Sequence, residues 1–327
     1  MKVDVIIPIY KPDDTLCLLL QKLQEQTFAV HKVILINTEE AYWKAALERY
    51  PIQQILDTAD YSYLVEHTTT AEFDHGGTRQ HGAELSDADV MIFMTQDAVP
   101  ADGYLVEQLV AAVMEADEEG EVAVAYARQL PNADCHIVEQ YTRSFNYPDV
   151  SRRKSKADIP ELGIKAFFCS DVCAAYRKDI FETLGGFYSP MIFSEDMVYA
   201  AKAIEHDYCV VYAAEAKVFH SHNYTARQQF HRNFDLAVSQ KMHPEVFERV
   251  SSESEGIRLV LNTIKYLCKI KKPWLVFELG TQCVGKYTGY LLGKRYEKLS
   301  RKQILKYTTS PAFWERYWKQ EQNLLKK

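Results

Sequence analysis

A single carboxylate, Asp97, stands directly after an apolar run of the sequence, where it could bind a metal ion. The run Val90–Met94 ends in Thr95-Gln96-Asp97, as expected for a buried parallel strand that delivers Asp97 to the carboxyl edge of a sheet. Open α/β sheets bind ligands at that edge. Mg²⁺ and Mn²⁺ prefer oxygen ligands and often take further ones from substrate phosphates, so one protein carboxylate can suffice. An aspartate in this position, taken alone, more often only caps a turn.

A carboxylate pair and a histidine pair follow later in the chain. Glu195-Asp196 opens a predicted helix, and His220 and His222 follow the β-rich stretch Tyr208–Phe219. A carboxylate near a hydroxyl can act as a general base, and an imidazole nitrogen can bind a metal ion. Each pair also has a simpler interpretation. The acidic pair could cap a helix, and the histidines could be hydrogen-bonded residues at a strand end.

The elements that position these residues are strands that alternate with helices over about the first 130 residues, which predicts a mostly parallel sheet with helices on both faces. We predict strands at Val3–Tyr10, Val33–Ile36, Ser62–Thr69, Val90–Met94 and Val122–Ala127, and helices at Leu16–Leu23, Ala41–Tyr50 and Tyr104–Ala116. Further strands are predicted at Phe167–Tyr176 and Tyr208–Phe219, with a polar loop over residues 151–163 that is solvated or covers the site. From Tyr224 onward we predict helices.

The composition describes an ordinary globular protein. The 327 residues, 47% hydrophobic and 25% charged, allow one large domain with an appendage, or two domains. Seven cysteines without CxxC or Cys/His spacing argue against a disulfide scaffold and a structural zinc site, and they favour a reducing compartment. Met1-Lys2 runs directly into Val3–Tyr10, so we expect no signal peptide.

Charge is distributed unevenly between the two ends of the chain. From Gly256 onward there are 16 Lys/Arg against 4 Asp/Glu, whereas the preceding residues hold 22 against 41. Three of the four tryptophans also lie in this basic end. A basic, aromatic-rich region suggests an anionic membrane surface or nucleic acid as a partner. The acidic remainder would repel a polyanion, so we expect no nucleic-acid binding.

The apolar segment Trp274–Gly293 approaches the length of a membrane-spanning helix. Glu278, Gln282 and Lys286 recur at every fourth position on one helical face, which a spanning helix would not carry through its centre. We therefore predict an amphipathic helix that is either packed within a helical domain or lies on a membrane surface. A homodimer interface is the alternative use of this region.

The order of these features resembles the inverting glycosyltransferases of family 2, which have the GT-A fold, and within them bacterial cell-wall and capsule rhamnosyltransferases. The resemblance covers about residues 3–222. It implies a GT-A-type, Rossmann-like, mostly parallel sheet in a nucleotide-sugar-binding catalytic domain of residues 1–222. Residues 223–327 would form a basic, aromatic-rich helical extension.

The resemblance also implies which residues bind the nucleotide sugar. Pro8 and Tyr10 match the turn after the first strand, and Asn37 stands where the family usually has an aspartate pair. The segment Glu72–Arg79, EFDHGGTR, matches the glycine turn over the nucleotide, and this local sequence is the one associated with the rhamnosyl branch. By that match Asp74 would accept a hydrogen bond from the pyrimidine, and the glycines and the arginine would approach phosphate. The implied nucleotide-sugar contacts are Pro8, Tyr10, Asn37, Asp74, Gly76, Gly77, Arg79 and Gln96.

The family's metal and catalytic motifs have counterparts here. Its Asp-x-Asp stands as Thr95-Gln96-Asp97, so the resemblance implies Mg²⁺ or Mn²⁺ held by Asp97, with His220 as a second ligand. The family's acidic pair matches Glu195-Asp196, which makes Asp196 the base and gives Glu195 the role of orienting the acceptor.

The resemblance therefore predicts an inverting glycosyltransferase that moves L-rhamnose from dTDP-β-L-rhamnose to a lipid-linked cell-wall or capsule precursor. It would work in the cytoplasm, peripherally bound to the inner face of the cell membrane. A hexosyltransferase of the same family that uses a UDP-sugar is the first alternative. A sugar-phosphate nucleotidyltransferase is the second, disfavoured because no early glycine-rich segment with an Arg/Lys pair is present.

Overall fold

One mixed sheet organises the chain. The computed structural model describes residues 1–118, 120–248 and 253–324. Within those ranges the sheet has ten strands: β1 (Val3–Tyr10), β2 (Lys32–Thr38), β3 (Ser62–Thr68), β4 (Val90–Met94), β5 (Val99–Pro100), β6 (Ala116–Asp117), β7 (Gly120–Leu130), β8 (Arg152–Lys154), β9 (Cys173–Arg177) and β10 (Cys209–Phe219). Their spatial order is β3-β2-β1-β4-β9-β7-β10-β5, with β6 beside β7 and β8 beside β10.

The strand directions bring the candidate residues to one edge. β1 is parallel to β2 and β4, and β2 is parallel to β3. β9 is antiparallel to both β4 and β7, whereas β7 and β10 are parallel to each other. Because β9 reverses the direction on both sides, β7 and β10 run the same way as β4. The predicted mostly parallel sheet is confirmed, and Asp97 and His220 both lie just beyond carboxyl ends of strands.

Helices cover both faces of the sheet. The described ranges contain fifteen α-helices: α1 (Asp14–Gln24), α2 (Glu40–Arg49), α3 (Ile52–Asp57), α4 (His75–Glu84), α5 (Leu105–Met114), α6 (Ile137–Asn146), α7 (Ile159–Leu162), α8 (Lys178–Thr183), α9 (Glu195–Glu205), α10 (Ala226–Met242), α11 (Pro244–Phe247), α12 (Glu253–Lys269), α13 (Leu275–Gly293), α14 (Arg301–Tyr307) and α15 (Pro311–Leu324). Short 3₁₀ helices lie at Lys156–Asp158, Gly163–Phe167 and Tyr296–Lys298.

The alternation of side chains along β1 builds two separate cores. Val5 and Ile7 are fully buried among the apolar residues of α1 and α5, whereas Ile6 is buried among those of α4 and α9. Successive residues of a strand point to opposite faces, so a run of apolar residues without alternation is expected where both faces are covered. The free cysteines Cys169 and Cys173 are both buried within these cores.

Two local predictions between residues 151 and 176 are wrong. The predicted strand Phe167–Tyr176 begins only at Cys173, and the chain before it is a 3₁₀ helix and a polar turn. That turn contains Asp171, which is buried and accepts a hydrogen bond of 2.6 Å from the Tyr176 hydroxyl. The predicted polar loop contains the short strand β8, which pairs antiparallel with β10. The charged side chains of β8 predict a loop. Nothing local indicates that it pairs with β10, because β10 lies far along the chain.

After β10 every element in the described ranges is a helix, as predicted. α13 packs against α10 through a row of glycines at every fourth position. A Cβ atom added to Gly285 or Gly289 would lie 2.2 Å from a backbone carbonyl oxygen of α10, that of Ala226 or Phe230 respectively. The two helix backbones can approach so closely only because these positions have no side chain.

The opposite side of α13 faces solvent. Phe277, Val284 and Tyr287 are exposed there, and Trp274 is exposed just before the helix. No helix in the described part of the chain is long and apolar enough to cross a membrane. The predicted amphipathic helix is therefore packed within the helical region on its glycine side and presents apolar residues on the other.

The helical region contacts the sheet domain at a specific segment. Arg316 of α15 donates hydrogen bonds of 3.0 and 2.7 Å to the carbonyl oxygens of Ala71 and Phe73. Its guanidinium also lies 3.6 Å from a carboxylate oxygen of Asp74. The division of the chain at residues 222 and 223 stays a prediction, because these contacts cross it.

The glycine row yields a test of the helix contact. We expect Gly289→Ala to lower the free energy of unfolding by about 1–3 kcal/mol, because the added methyl group must push α10 away. Gly280→Ala is the matched control on the same helix. Gly280 is exposed with nothing near its position, so alanine there should stabilise the helix by up to about 1 kcal/mol. Urea denaturation would measure both, and equal effects of the two substitutions would contradict the close contact.

Candidate active site

Three side chains that could hold a metal ion meet at the carboxyl edge of the sheet. Asp97 follows β4, and His220 and His222 follow β10. A carboxylate oxygen of Asp97 lies 3.3 Å from Nε2 of His222 and 3.6 Å from Nε2 of His220. The two Nε2 atoms are 3.1 Å apart. We call Asp97, His220 and His222 the edge triad. The structure brings together the two predicted ligands, Asp97 and His220, and adds His222.

The surroundings of His220 prepare it to be a ligand. The Oε1 atom of Gln129 accepts hydrogen bonds from Arg143 and, at 3.1 Å, from Nδ1 of His220. Because that oxygen can only accept, Nδ1 of His220 carries the proton, and the lone pair of its Nε2 faces Asp97 and His222. Burial lowers the pKa of His220 to about 3, so the imidazole is neutral. One carboxylate and neutral imidazoles fit a divalent cation such as Mn²⁺.

The second polar centre lies at the start of α9. Asp196 accepts hydrogen bonds from the backbone N–H groups of Asp171 (3.1 Å) and Met197 (2.7 Å). Burial, followed by the negative charge of Glu195, raises the pKa of Asp196 to about 7. A carboxylate with that pKa is suited to accept a proton near neutral pH. Ser194, which precedes the helix, has a left-handed backbone with φ of 65°, a costly conformation that recurs at functional sites.

Glu195 and Arg79 form a buried ion pair behind Asp196. Nη1 of Arg79 lies 3.1 Å from the Glu195 carboxylate, and its Nε lies 3.4 Å from the carboxylate of Asp171. All three side chains are almost fully buried. The placement does not support the predicted phosphate contact of Arg79 or the predicted acceptor contact of Glu195. The Arg79 guanidinium and the Glu195 carboxylate instead neutralise each other's buried charge. Because Glu195 is the first residue of α9, this pair holds the start of that helix.

The predicted nucleotide contact of Asp74 is also not supported by its placement. Asp74 is buried and caps α4, accepting a hydrogen bond of 2.7 Å from the Gly77 N–H. It accepts another of 3.1 Å from the Met191 N–H. A Cβ atom on Gly76 would lie 1.9 Å from the carbonyl oxygen of Tyr188. The two glycines therefore allow α4 to pack against the segment before α9, which accounts for them without a ligand.

The remaining predicted nucleotide contacts lie at the edge of β1 and β2. Gln96 binds the backbone of Tyr10 twice, accepting from its N–H at 2.8 Å and donating to its carbonyl at 3.1 Å. Pro8 is half-buried within β1. The Asn37 side chain is buried, donates to the Glu39 carbonyl at 3.0 Å, and has an Oδ1 without a partner in the structure. An unpaired buried acceptor at this edge is consistent with the predicted ligand contact of Asn37.

Two aromatic rings lie beside this edge, that of the predicted contact Tyr10 and that of Tyr42, which the sequence did not indicate. Tyr10 and Tyr42 are exposed and meet edge to face with centroids 5.4 Å apart. Lys11 lies over both rings, 5.0 and 5.1 Å from their centroids. The rings and the cation could receive a planar base and an adjacent anionic group.

Comparison with known proteins agrees with this arrangement. The model of the family described as glycosyl transferase family 2 matches residues 4–185. The chain belongs to glycosyl transferase family 2. It is 36% identical over 316 residues to the O-antigen chain rhamnosyltransferase RfbN of Salmonella typhimurium, spanning 96% of each chain. It is 37% identical over 246 residues to the O-antigen chain rhamnosyltransferase WbaN of Salmonella anatum, spanning 75% of this chain and 76% of that one. These relatives confirm the predicted resemblance to polysaccharide rhamnosyltransferases.

Solved structures confirm the fold of this glycosyltransferase. The mannosyltransferase PcManGT of Pyrobaculum calidifontis, solved with GDP-Man and Mn²⁺, is similar with a TM-score of 0.52 at 14% identity. The alignment covers 95% of this chain and 84% of that one. Residues 1–349 of TarS of S. aureus are similar with a TM-score of 0.51 at 13% identity, over 90% and 92% of the two chains.

The sequence motifs of this family 2 glycosyltransferase do not indicate four residues of the site. The resemblance implies His220 as a ligand but not His222, and it implies no role for Tyr42, Asp171 or Gln129. The signal for Asp171 was present, since Ser170-Asp171 interrupts an otherwise apolar stretch. Gln129 carried no signal, because its role depends on which side chains the fold brings to it.

Proposed function

We propose that this glycosyltransferase moves L-rhamnose, with inversion, from dTDP-β-L-rhamnose to a growing lipid-linked polysaccharide. The observation that carries the choice of sugar is the similarity to two O-antigen chain rhamnosyltransferases, one of them along 96% of both chains. The geometry supports separate roles for the edge triad and for Asp196. The edge triad serves the leaving group, and Asp196 serves the nucleophile.

The proposed reaction uses Asp196 as the general base. Its carboxylate accepts the proton of an acceptor hydroxyl while the oxygen attacks C1 of the sugar and the bond from C1 to the diphosphate breaks, which releases dTDP. A β-linked donor would give an α-linked product. A divalent cation, when bound, would neutralise charge on the departing diphosphate. Asp97, His220 and His222 would hold that cation, while the ion pair of Arg79 with Glu195 keeps Asp196 in place.

Transfer assays would test the donor. We expect turnover of dTDP-rhamnose to exceed that of UDP-glucose and UDP-galactose, with dTDP as the released product. Comparable or faster turnover of a UDP-sugar would replace the rhamnose assignment with the hexosyl alternative. Release of pyrophosphate would indicate a sugar-phosphate nucleotidyltransferase.

We also propose that the helical region binds an anionic membrane at its cytoplasmic face, where a lipid-linked acceptor would be found. The balance of 16 Lys/Arg against 4 Asp/Glu from Gly256 onward supports this, since anionic lipids attract clustered basic residues. The exposed side chains of Trp274, Phe277 and Tyr287 support it as well, because aromatic residues are enriched at membrane interfaces.

We expect Phe277→Gln to weaken binding to anionic phospholipid vesicles about tenfold or more, because an 81% exposed phenyl ring would no longer enter the lipid. Tyr104→Gln is the matched control, since Tyr104 is 55% exposed but lies outside the helical region. Vesicle sedimentation at low and high salt would measure the effect. Binding that ignores both salt and the substitution would contradict the proposal. A dimer that dissociates in Phe277→Gln would make the surface an interface between two copies.

A further inference from the structure

A large cavity lies beside β7, β8 and β10, away from the β1–β2 edge where the nucleotide contacts are predicted. Its volume is about 1010 Å³, and it opens between α6, β8 and the segment that leads to β9. Tyr126, Phe168 and Tyr212 line it with aromatic rings, and Lys154, Lys165 and Arg258 provide cationic groups. One carboxylate, Glu161, is among the lining residues and is paired with Arg152 at 3.0 Å. No residue of the edge triad and neither Glu195 nor Asp196 lines it.

The cavity contains a buried lysine without an anionic partner. Lys154 is 3% exposed. Its Nζ donates to the Phe168 carbonyl, to the Tyr126 hydroxyl at 3.3 Å and to the Lys165 carbonyl at 3.5 Å, all of which are neutral acceptors. Within the described ranges no carboxylate pairs with it. Burial lowers its pKa to about 7, which reflects the cost of placing this charge away from water. An anion in the cavity would remove that cost.

Further cations lie at the mouth of the cavity around one ring. Lys165 is 5.1 Å and Arg258 is 5.7 Å from the centroid of Phe145. Arg258 belongs to α12, so the helical region contributes directly to the cavity. Arginine and lysine both bind phosphate groups well, and flat aromatic walls offer an apolar surface to a sugar ring.

Short connections link the cavity to both centres of the active site. Lys154 holds the carbonyl of Phe168, and three residues later the N–H of Asp171 donates to Asp196. Three residues of chain span at most about 11 Å. On the other side, the Tyr147 ring lies 6.0 Å from that of Phe168, and its hydroxyl accepts a 2.7 Å hydrogen bond from Gln129, the partner of His220.

The nucleoside of the donor would not reach this cavity. Tyr126 and Tyr212 lie on β7 and β10, and β7 is separated from β1 by β4 and β9. At about 4.8 Å between neighbouring strands, the step from β1 to β7 is roughly 14 Å. A ligand in the cavity would lie on the side of the site that holds Asp196, the proposed general base. An anionic ligand there, with a ring that can lie against aromatic side chains, therefore has the chemistry of the acceptor.

We propose that this cavity binds the phosphate-bearing end of the acceptor, a sugar joined to a phosphate or diphosphate, and so directs the acceptor hydroxyl to Asp196. The assignment of the ligand as an acceptor rests on the proposed function. Lys154 supplies the charge that the phosphate meets. Arg258 on α12 connects this contact to the region proposed to lie on the membrane, where the lipid part of such an acceptor would remain.

The test compares Lys154→Met with Lys156→Met in the full chain. Lys156 is two residues away and exposed, and it pairs with Asp207 rather than lining the cavity. The acceptor sugar is offered as a lipid diphosphate and as its methyl glycoside. We expect Lys154→Met to raise KM for the diphosphate acceptor about 10- to 100-fold, whereas KM for the donor and KM for the methyl glycoside should change by several-fold less. Lys156→Met should behave as the unaltered protein.

An unchanged KM for the diphosphate acceptor in Lys154→Met would overturn the proposal, and so would an equal loss with both acceptors. Binding of inorganic pyrophosphate, measured by calorimetry without metal and with saturating dTDP, gives a readout independent of the sugar transferred. We expect binding that disappears in Lys154→Met, even if the rhamnose assignment fails. No binding by the unaltered protein would overturn the proposal. A free sugar phosphate that changes the rate without receiving a sugar would make the cavity regulatory, and it would overturn the acceptor assignment.

Discussion

Replacing Asp196 with asparagine should lower kcat for sugar transfer by about 10²- to 10⁴-fold, because the acceptor hydroxyl loses the group that accepts its proton. The donor KM should change little, since Asp196 lies at the start of α9 and away from the β1–β2 edge. Glu205→Gln is the matched control, because it removes a carboxylate from the other end of the same helix. Near-normal turnover by Asp196→Asn would remove this residue as the base.

The pH dependence of the unaltered enzyme should show the same group. A base must be deprotonated to act, so kcat/KM should rise with pH and level off above about 7, the pKa to which burial and Glu195 raise Asp196. The contribution of Asp196 to the stability of the fold changes with pH in the opposite direction. A carboxyl whose folded-state pKa lies above its unfolded value of 3.8 stabilises the fold at low pH, and this contribution is lost as pH rises through about 7.

Asp196→Asn should therefore be at least as stable as the unaltered protein at pH 8, since a neutral amide avoids that loss. A Tm that is equal or higher, measured on the same preparation as the kinetics, would show that lost activity is not lost folding. A large fall in Tm would contradict the stability expectation.

Asp97→Asn should lower turnover by about 100-fold or more and weaken Mn²⁺ binding in the presence of dTDP. Asp97 supplies the only carboxylate of the edge triad, so the amide removes the negative charge that would face the cation. Calorimetry with Mn²⁺ and dTDP measures the binding, and a chelator should abolish activity until Mn²⁺ or Mg²⁺ is returned.

The control for this substitution lies at the opposite end of the same strand. Asp89 directly precedes β4, is exposed, and pairs with the amino end of the chain. Asp89→Asn should leave both turnover and Mn²⁺ binding unchanged. Full activity of Asp97→Asn, or activity that a chelator does not affect, would mean that the edge triad does not hold a required metal.

The sequence predicted the parts of the site that depend on strand direction alone. Asp97 and His220 each follow an apolar strand, so strand direction predicts that both lie at the carboxyl edge of the sheet. Their pairing as metal ligands was implied by the family resemblance, because β9 and β7 separate β4 from β10. The acidic pair Glu195-Asp196 was predicted at a helix start because acidic residues are favoured there. The approximate positions of the strands before residue 130 needed only apolar runs and their boundaries.

The parts that the sequence did not predict depend on packing between distant segments. The resemblance implies a phosphate contact for Arg79, whereas its partners in the structure, Asp171 and Glu195, lie about a hundred residues later. It implies a contact with the nucleotide base for Asp74, whose carboxylate accepts hydrogen bonds from the N–H groups of Gly77 and Met191. Neither a glycine pair nor a charged residue carries information about which buried group will lie opposite it.

The hydrogen bonds from Arg316 to Ala71 and Phe73 have a practical consequence for engineering. α15 binds the segment that precedes α4, and α4 carries Arg79, so the helical region helps to position Glu195 beside the proposed base Asp196. Chimeras that exchange the helical region between relatives would need to exchange this segment with it. Affinity tags joined after the last helix should be tested for their effect on turnover as well as on yield.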